Sequence, residues 1–269
     1  MERRPYRIGQ IVPSSNTTME TEIPAMLRAR EAIRPERFTF HSSRMRMHKV
    51  TKEELEAMNR ESLRCAAELA DARVDVMSTA CLVAIMAMEL GHHRNVQREL
   101  TQVARAHHCE APVMTSAGAL IEGLHIMGAK RIALLAPYMS SLTDLVVKYI
   151  ENEGIEVVDA ISFEIPDNLE VGRRDPGLLL EDVRRLKTDN VDVVVLSACV
   201  QMQSLSSIQL VEDRLGLPVT STSVCTTRRM LDHLGLEAVV PNAGALLSGR
   251  YRTGPKAPVE ARPNSHVAL

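Results

Sequence analysis

Val74-Asp-Val-Met-Ser-Thr-Ala-Cys81 and Val191-Asp-Val-Val-Val-Leu-Ser-Ala-Cys199 are two versions of one phrase. Each is a short apolar run that stops on small residues and a cysteine. Such a run reads as a buried strand of a parallel sheet. A strand ending in Ser/Thr-Ala-Cys presents an unhindered thiol at the carboxyl edge of its sheet, where open α/β sheets keep their ligand crevice. If two such edges face each other, one thiol stands on either side of a single pocket. That arrangement suits two-sided chemistry on a small carbon acid or alkene.

Working outward, the rest of the chain is also written twice. Arg7-Ile-Gly-Gln-Ile-Val-Pro13 recurs as Arg131-Ile-Ala-Leu-Leu-Ala-Pro137, and Ala111-Pro-Val-Met-Thr-Ser116 as Leu217-Pro-Val-Thr-Ser-Thr222. Strand–Pro, strand–Cys and Pro-Val strand therefore follow in the same order in both halves, which points to an internal duplication. Between the strands lie helical stretches. Thr51-Lys-Glu-Glu54 is a capping box ahead of Leu55, Met58, Ser62, Cys65, Ala66 and Leu69 at helical spacing. Ser140 to Glu153 reads as a helix stopped by Gly154, with a strand over Ile155–Ala160. Pro176 to Lys187 and Ser204 to Leu215 read as two more helices, the second stopped by Gly216. Alternating strands and helices predict an α/β protein. The expected architecture is two similar lobes, with parallel sheets flanked by helices, related by a pseudo-twofold axis, and the active site between them. Residues 1–117 with 223–250 are expected to form the first lobe and 118–222 the second. The proline-rich segment 251–269 is expected to be a flexible tail.

Composition narrows the function classes. At 269 residues the chain is long enough for a substantial core. A net charge of −2, with both signs interspersed, gives no basic stripe for nucleic acid, and 3% aromatics leave little for base stacking. No apolar run approaches the ~18–20 residues that span a bilayer, and the first residues lack the apolar core of a signal peptide. Five cysteines without a CxxC pair read as free thiols in a reducing, cytoplasmic setting.

Cys81 precedes Leu-Val-Ala-Ile-Met-Ala-Met, a run able to start a helix, and a thiol at a helix N-terminus is favoured as thiolate. On that ground its pKa is expected below the ~8.5 of a free thiol. Cys199 precedes Val-Gln-Met-Gln-Ser-Leu, a weaker helix start in the same kind of turn. Free cysteine is often a small hydrophobic core residue, but packing alone gives no reason to repeat the whole phrase. Cys65, on an apolar helix stripe, Cys109, in a polar turn, and Cys225, in a small-residue helix start, read as structural. Ser14-Ser-Asn-Thr-Thr18 follows the first strand, where hydroxyls and the Asn16 amide suit either helix capping or an anionic ligand. Tyr138, directly after Pro137, is placed to reach the same pocket or to pack. Asn168 reads as a loop residue between elements. His92-His93 and His107-His108 lack metal-site spacing, so no metal is expected. Arg44 and Arg46 suit either a dianion or a solvated face. No Gly-rich nucleotide loop or GxSxG element is present.

These residues carry a family resemblance. Paired cysteines on duplicated α/β lobes resemble the aspartate/glutamate racemase superfamily, whose members use thiols on opposite faces of a substrate carbon without a cofactor. Within it, Ile11-Val-Pro-Ser-Ser-Asn-Thr-Thr-Met-Glu20, Phe40-His-Ser-Ser-Arg-Met-Arg46, Ser78-Thr-Ala-Cys-Leu-Val83 and Leu196-Ser-Ala-Cys-Val-Gln-Met202 are most similar to the maleate cis–trans isomerases. Amino-acid racemases show Cys-Asn-Thr and Cys-Thr-His/Glu where this chain has Cys-Leu-Val and Cys-Val-Gln. Gln203 departs from the Pro expected after Cys-Val-Gln-Met. The resemblance implies Cys81 as nucleophile toward a small dicarboxylate and Cys199 as proton donor and acceptor. It assigns carboxylate contacts to Asn16, Tyr138 and Asn168, and to backbone near Leu82, Val83 and Val200. It implies no cofactor and no metal, and places such enzymes in nicotinate breakdown. A homodimer is expected as the commonest closed assembly. A racemase, a decarboxylase of the same superfamily, and a dicarboxylate-binding protein without turnover are the alternatives.

Overall fold

The computed structural model describes residues 4–47 and 52–251. The Thr51 cap and the tail beyond Tyr251 lie outside the described residues. Arg7–Pro13 forms nearly all of β1 (Tyr6–Pro13), which pairs in parallel with β2 (Phe38–Met45) on one side and β3 (Val76–Thr79) on the other. With β4 (Val113–Thr115) the sheet order is β2-β1-β3-β4. A second parallel sheet has the order β6-β5-β7-β8, from β5 (Arg131–Ala136), β6 (Glu156–Ser162), β7 (Val193–Ser197) and β8 (Val219–Ser221). The second sheet repeats the first strand for strand, as the duplicated phrases predict. The inner strands are buried on both faces, so their sequences are continuous apolar runs.

The repeat extends to individual hydrogen bonds. Asp75 N–H donates to the Arg7 carbonyl and Asp192 N–H to the Arg131 carbonyl, both at 2.8 Å. The two carboxylates accept the return bonds, from Arg7 N–H at 2.8 Å and Arg131 N–H at 2.9 Å. Met77 N–H to Pro112 and Val194 N–H to Pro218 match at 2.9 Å, as do Ala80 N–H to Ile11 and Ala198 N–H to Leu135. The aspartate of each Val-Asp-Val phrase thus pins the amino end of the neighbouring strand. This corrects the expectation that packing gives no reason to repeat the phrase: its first half is structural. Strand pairing does not explain the Ser/Thr-Ala-Cys half.

Among the described residues ten helices connect and flank the strands: α1 (Met19–Glu31), α2 (Lys52–Asp71), α3 (Leu82–Met86), α4 (His92–Ala106), α5 (Ser116–Ile126), α6 (Ser140–Asn152), α7 (Asn168–Arg173), α8 (Leu179–Asp182), α9 (Leu205–Leu215) and α10 (Thr222–His233). Gly154 and Gly216 follow α6 and α9 with φ of +81° and +64°, the left-handed turn that ends a helix. The helix predicted over Pro176–Lys187 is instead a short α8 between two 3-10 turns, Pro176–Leu178 and Val183–Arg185. Asp175 accepts the Gly177 N–H at 2.8 Å and tightens the entry, and the backbone turns extended at Leu186, whose side chain is buried like those of Leu179 and Val183. β2 and α4 were not evident from the sequence pattern. α5 and α10 begin at equivalent strand ends, capped by Thr115 and Ser221, and pack against each other. A Cβ on Gly123 would lie 2.5 Å from the Cys225 sulfur, so the small residue sets how closely they approach. α10 also packs on α1, and Arg30 of α1 donates to the Glu237 and Val239 carbonyls at 2.6 and 2.8 Å. Among the described residues no helix is long and apolar enough to cross a membrane.

Candidate active site

The carboxyl ends of both sheets meet at one narrow cleft, whose unfilled space, counted out to its mouth, is about 310 Å³. Pro13, Asn16, Met47, Cys81, Leu82 and Val83 line it from the first sheet's side. Tyr138, Asn168, Cys199, Val200 and Gln201 line it from the second. All eight residues singled out from the sequence are therefore brought together. Met47 and Gln201 complete the wall without having been singled out. Among the described residues no charged side chain lines the cleft.

Cys81 stands at the first thiol position with φ +126° and ψ +103°, a sparsely populated conformation for any residue but glycine. It is half-buried and leads straight into α3, with the Val83 and Ala84 N–H groups directed at its sulfur. Those groups favour thiolate, but burial outweighs them and pushes the thiol up to about 12, with Cys199 adding repulsion. This corrects the expected low pKa. A five-residue helix offers two N–H groups but no long dipole, and the closed cleft withholds water.

Cys199 is buried, and no helix begins until Leu205. Its sulfur accepts the Gln201 N–H at 3.3 Å and the Tyr138 hydroxyl proton. Burial raises its pKa as well, against these bonds and a further one from the Met202 N–H. Burial and the neighbouring sulfurs hold the Tyr138 phenol well above its ordinary range, so it stands as a donor.

The amides are partly committed. Asn16 Oδ1 accepts the Thr18 and Met19 N–H groups at 3.0 Å each, capping α1, which leaves its Nδ2 for a ligand. The capping reading of Asn16 is the one these bonds show. Asn168 is the first residue of α7 rather than a loop residue, because Asp167 caps that turn at Leu169 and Glu170. Asn168 Nδ2 donates to Ser15 Oγ at 2.8 Å, across the lobes. Gln203 Nε2 donates to the Gly172 carbonyl at 2.6 Å, which anchors the Cys199 turn where a proline was expected.

The remaining candidates lie elsewhere. Arg44 is ion-paired with Glu20 and donates to the Asn16 carbonyl at 2.6 Å, and neither Arg44 nor Arg46 lines the cleft. Cys65, Cys109 and Cys225 are buried core residues. His93 bonds the Tyr149 hydroxyl at 2.6 Å, and among the described residues no group of three His, Cys, Asp or Glu is placed to hold a metal ion.

A sequence profile of the arylmalonate decarboxylase family matches residues 8–247. Maleate isomerase of Pseudomonas putida is 64% identical over 246 residues, covering 91% of this chain and 98% of that protein. A solved structure of the maleate isomerase Iso from Pseudomonas putida with maleate matches with a TM-score of 0.91 at 56% identity, over 92% of this chain and 99% of that one. Nocardia farcinica maleate cis–trans isomerase, solved as a cysteine-to-serine mutant with a covalently bound succinylcysteine intermediate, matches with a TM-score of 0.87 at 42% identity, over 91% and 99%. Over the residues that build both sheets and line the cleft, this chain is a member of the arylmalonate decarboxylase family and, within it, belongs with the maleate isomerases.

Proposed function

We propose that this protein isomerises maleate to fumarate by reversible addition of a cysteine sulfur. The observation that carries the reading is the meeting of Cys81 and Cys199, from equivalent sheet edges, in one cleft. Cys81 is the nucleophile. Its sulfur bonds to one alkene carbon, the π bond is consumed, and Cys199 delivers a proton to the neighbouring carbon. The proton lost by the Cys81 thiol replaces the one that Cys199 gave, so no free thiolate has to be stored in the resting site. The single C2–C3 bond of the succinyl thioether then rotates. The relay then runs in reverse: Cys199 takes a proton from carbon as it passes its own back to the Cys81 sulfur, the π bond re-forms, the S–C bond breaks, and fumarate leaves with both thiols restored. No electrons are gained or lost overall. The succinylcysteine intermediate held by the Nocardia relative is the same species.

Addition builds negative charge on a carboxylate, which needs fixed dipoles aimed at it. Asn16 Nδ2, Asn168 and backbone near Leu82, Val83 and Val200 are the donors assigned to the two carboxylates, and the Tyr138 hydroxyl joins them by turning its proton from the Cys199 sulfur. Two free thiols fit a reducing cytoplasm, and a twofold homodimer is the assembly assigned, as the commonest closed one.

Proton NMR of the purified protein with maleate in metal-free buffer tests the reading. Fumarate resonances growing at the expense of maleate are expected. Unchanged maleate, with the protein shown to be folded, would overturn it.

A further inference from the structure

Gln201 lines the cleft beside Cys199, yet its side chain has nothing left to offer a ligand. Its Oε1 accepts the Thr17 N–H at 2.9 Å and the Thr18 N–H at 3.3 Å. Its Nε2 donates to the Ser15 carbonyl at 3.0 Å and the Asn168 carbonyl at 2.7 Å. Four bonds use both acceptor sites and both protons of the amide. The partners come from both lobes: Ser15, Thr17 and Thr18 follow β1, and Asn168 opens α7. The Gln201 main chain adds its N–H to the Cys199 sulfur at 3.3 Å and takes the Thr18 hydroxyl at 2.7 Å. Behind it, a Cβ on Gly172 would lie 2.5 Å from Nε2, so α7 backbone closes directly on the amide.

We propose that Gln201 is a positioning residue: a clasp across the lobes that sets the Cys199 sulfur in register with Asn16 and Asn168. The proposal rests on the isomerase reading above. The clasp has a polarity, because two N–H groups face one end of the amide and two carbonyls the other. Glutamate has the same shape but turns a carboxylate oxygen toward both carbonyls. Once protonated, it donates to one carbonyl and still accepts from the Thr17 and Thr18 side, restoring part of the clasp.

A misplaced Cys199 affects the two directions unequally. A carbanion takes a proton from any nearby acid, whereas a C–H bond yields its proton only to a placed base. The succinyl adduct on Cys81 therefore forms and lingers: its S–C bond is made, the π bond is spent, and the adjacent carbon carries one added proton.

The test compares wild type, Gln201→Glu and Gly172→Ala by steady-state kinetics and intact mass after mixing with maleate. For folded Gln201→Glu at about pH 8, kcat is expected to fall about hundredfold with KM changed under about threefold, since geometry and not affinity is lost. One maleic acid mass should remain on Cys81. The ratio of variant to wild-type kcat should rise about tenfold toward about pH 6 as the new carboxyl protonates. Glu22, Tyr138, Cys81 and Cys199 are the titratable groups around the clasp, each raised by burial, and are common to both proteins, so the ratio removes them. A kcat within about twofold of wild type, or a loss without adduct at every pH, would overturn the clasp. If Gln201→Glu does not fold, Gly172→Ala decides: its methyl pushes on Nε2, and lowered kcat with adduct supports the clasp while wild-type kcat sinks it. Failure of wild type to produce fumarate would instead overturn the isomerase reading.

Discussion

At Cys81 the chain leaves β3 with φ +126° and enters a helix at once, whereas at Cys199 it leaves β7 and does not re-enter one until Leu205. Both turns descend from the same strand ends, with matching bonds from Ala80 to Ile11 and Ala198 to Leu135. They diverge in what reaches the sulfur. Cys81 receives N–H groups from its own next residues, Val83 and Ala84. Cys199 receives N–H groups from the equivalent two residues, Gln201 and Met202, and the Tyr138 hydroxyl in addition, and its turn is tied to the other lobe. Beyond Gln201, the buried Glu22 of α1 accepts the Ser204 and Leu205 N–H groups at 2.5 and 2.6 Å, capping α9 from across the interface. A locally built turn suits an attacking sulfur that must move toward carbon. A turn clamped from outside suits a base that must stay in place.

The comparison breaks most visibly at the nucleophile. Cys81→Ala is expected to remove turnover entirely and to leave the protein's mass unchanged after maleate, read by NMR and intact mass. An adduct on Cys65 or Cys225 would reverse the assignment. Cys199→Ser is expected to lower kcat about a thousandfold while the Cys81 adduct persists, because only the base has been weakened. A near-normal rate would make the second thiol packing alone. The smallest effect concerns ionisation in the resting site. Thiolate is the species that alkylates, so with the folded pKa raised to about 12 the iodoacetamide rate at Cys81 should still climb through about pH 10. A plateau near the ~8.5 of a free thiol would show that burial does not govern this cysteine.

Much of this arrangement was legible in the sequence because duplication wrote it twice. Pro13 and Pro137, Cys81 and Cys199, and the two Pro-Val strands place both sheet edges before any coordinate is seen. β2 was missed because its run, Phe38–Met45, is partly exposed and carries His, Ser and Arg at its centre. Gln201 was missed for a different reason. It was quoted within Cys-Val-Gln-Met202 but given no role, because its side chain bonds to residues more than 180 positions away. The low pKa expected for Cys81 failed because helix position can be read from a sequence while desolvation by the opposite lobe cannot.

Cys81 also bears on selection. Holding a side chain at φ +126° costs roughly 1–3 kcal/mol, a large share of a typical domain's margin. Selection for stability alone would install glycine there. The Cys199 turn is not among the described positive-φ positions, so the cost was accepted in one copy of the duplicated turn and not in the other. The first turn is therefore where stability has been exchanged for reactivity, and where loss of the activity would leave the fold free to drift toward a more stable chain.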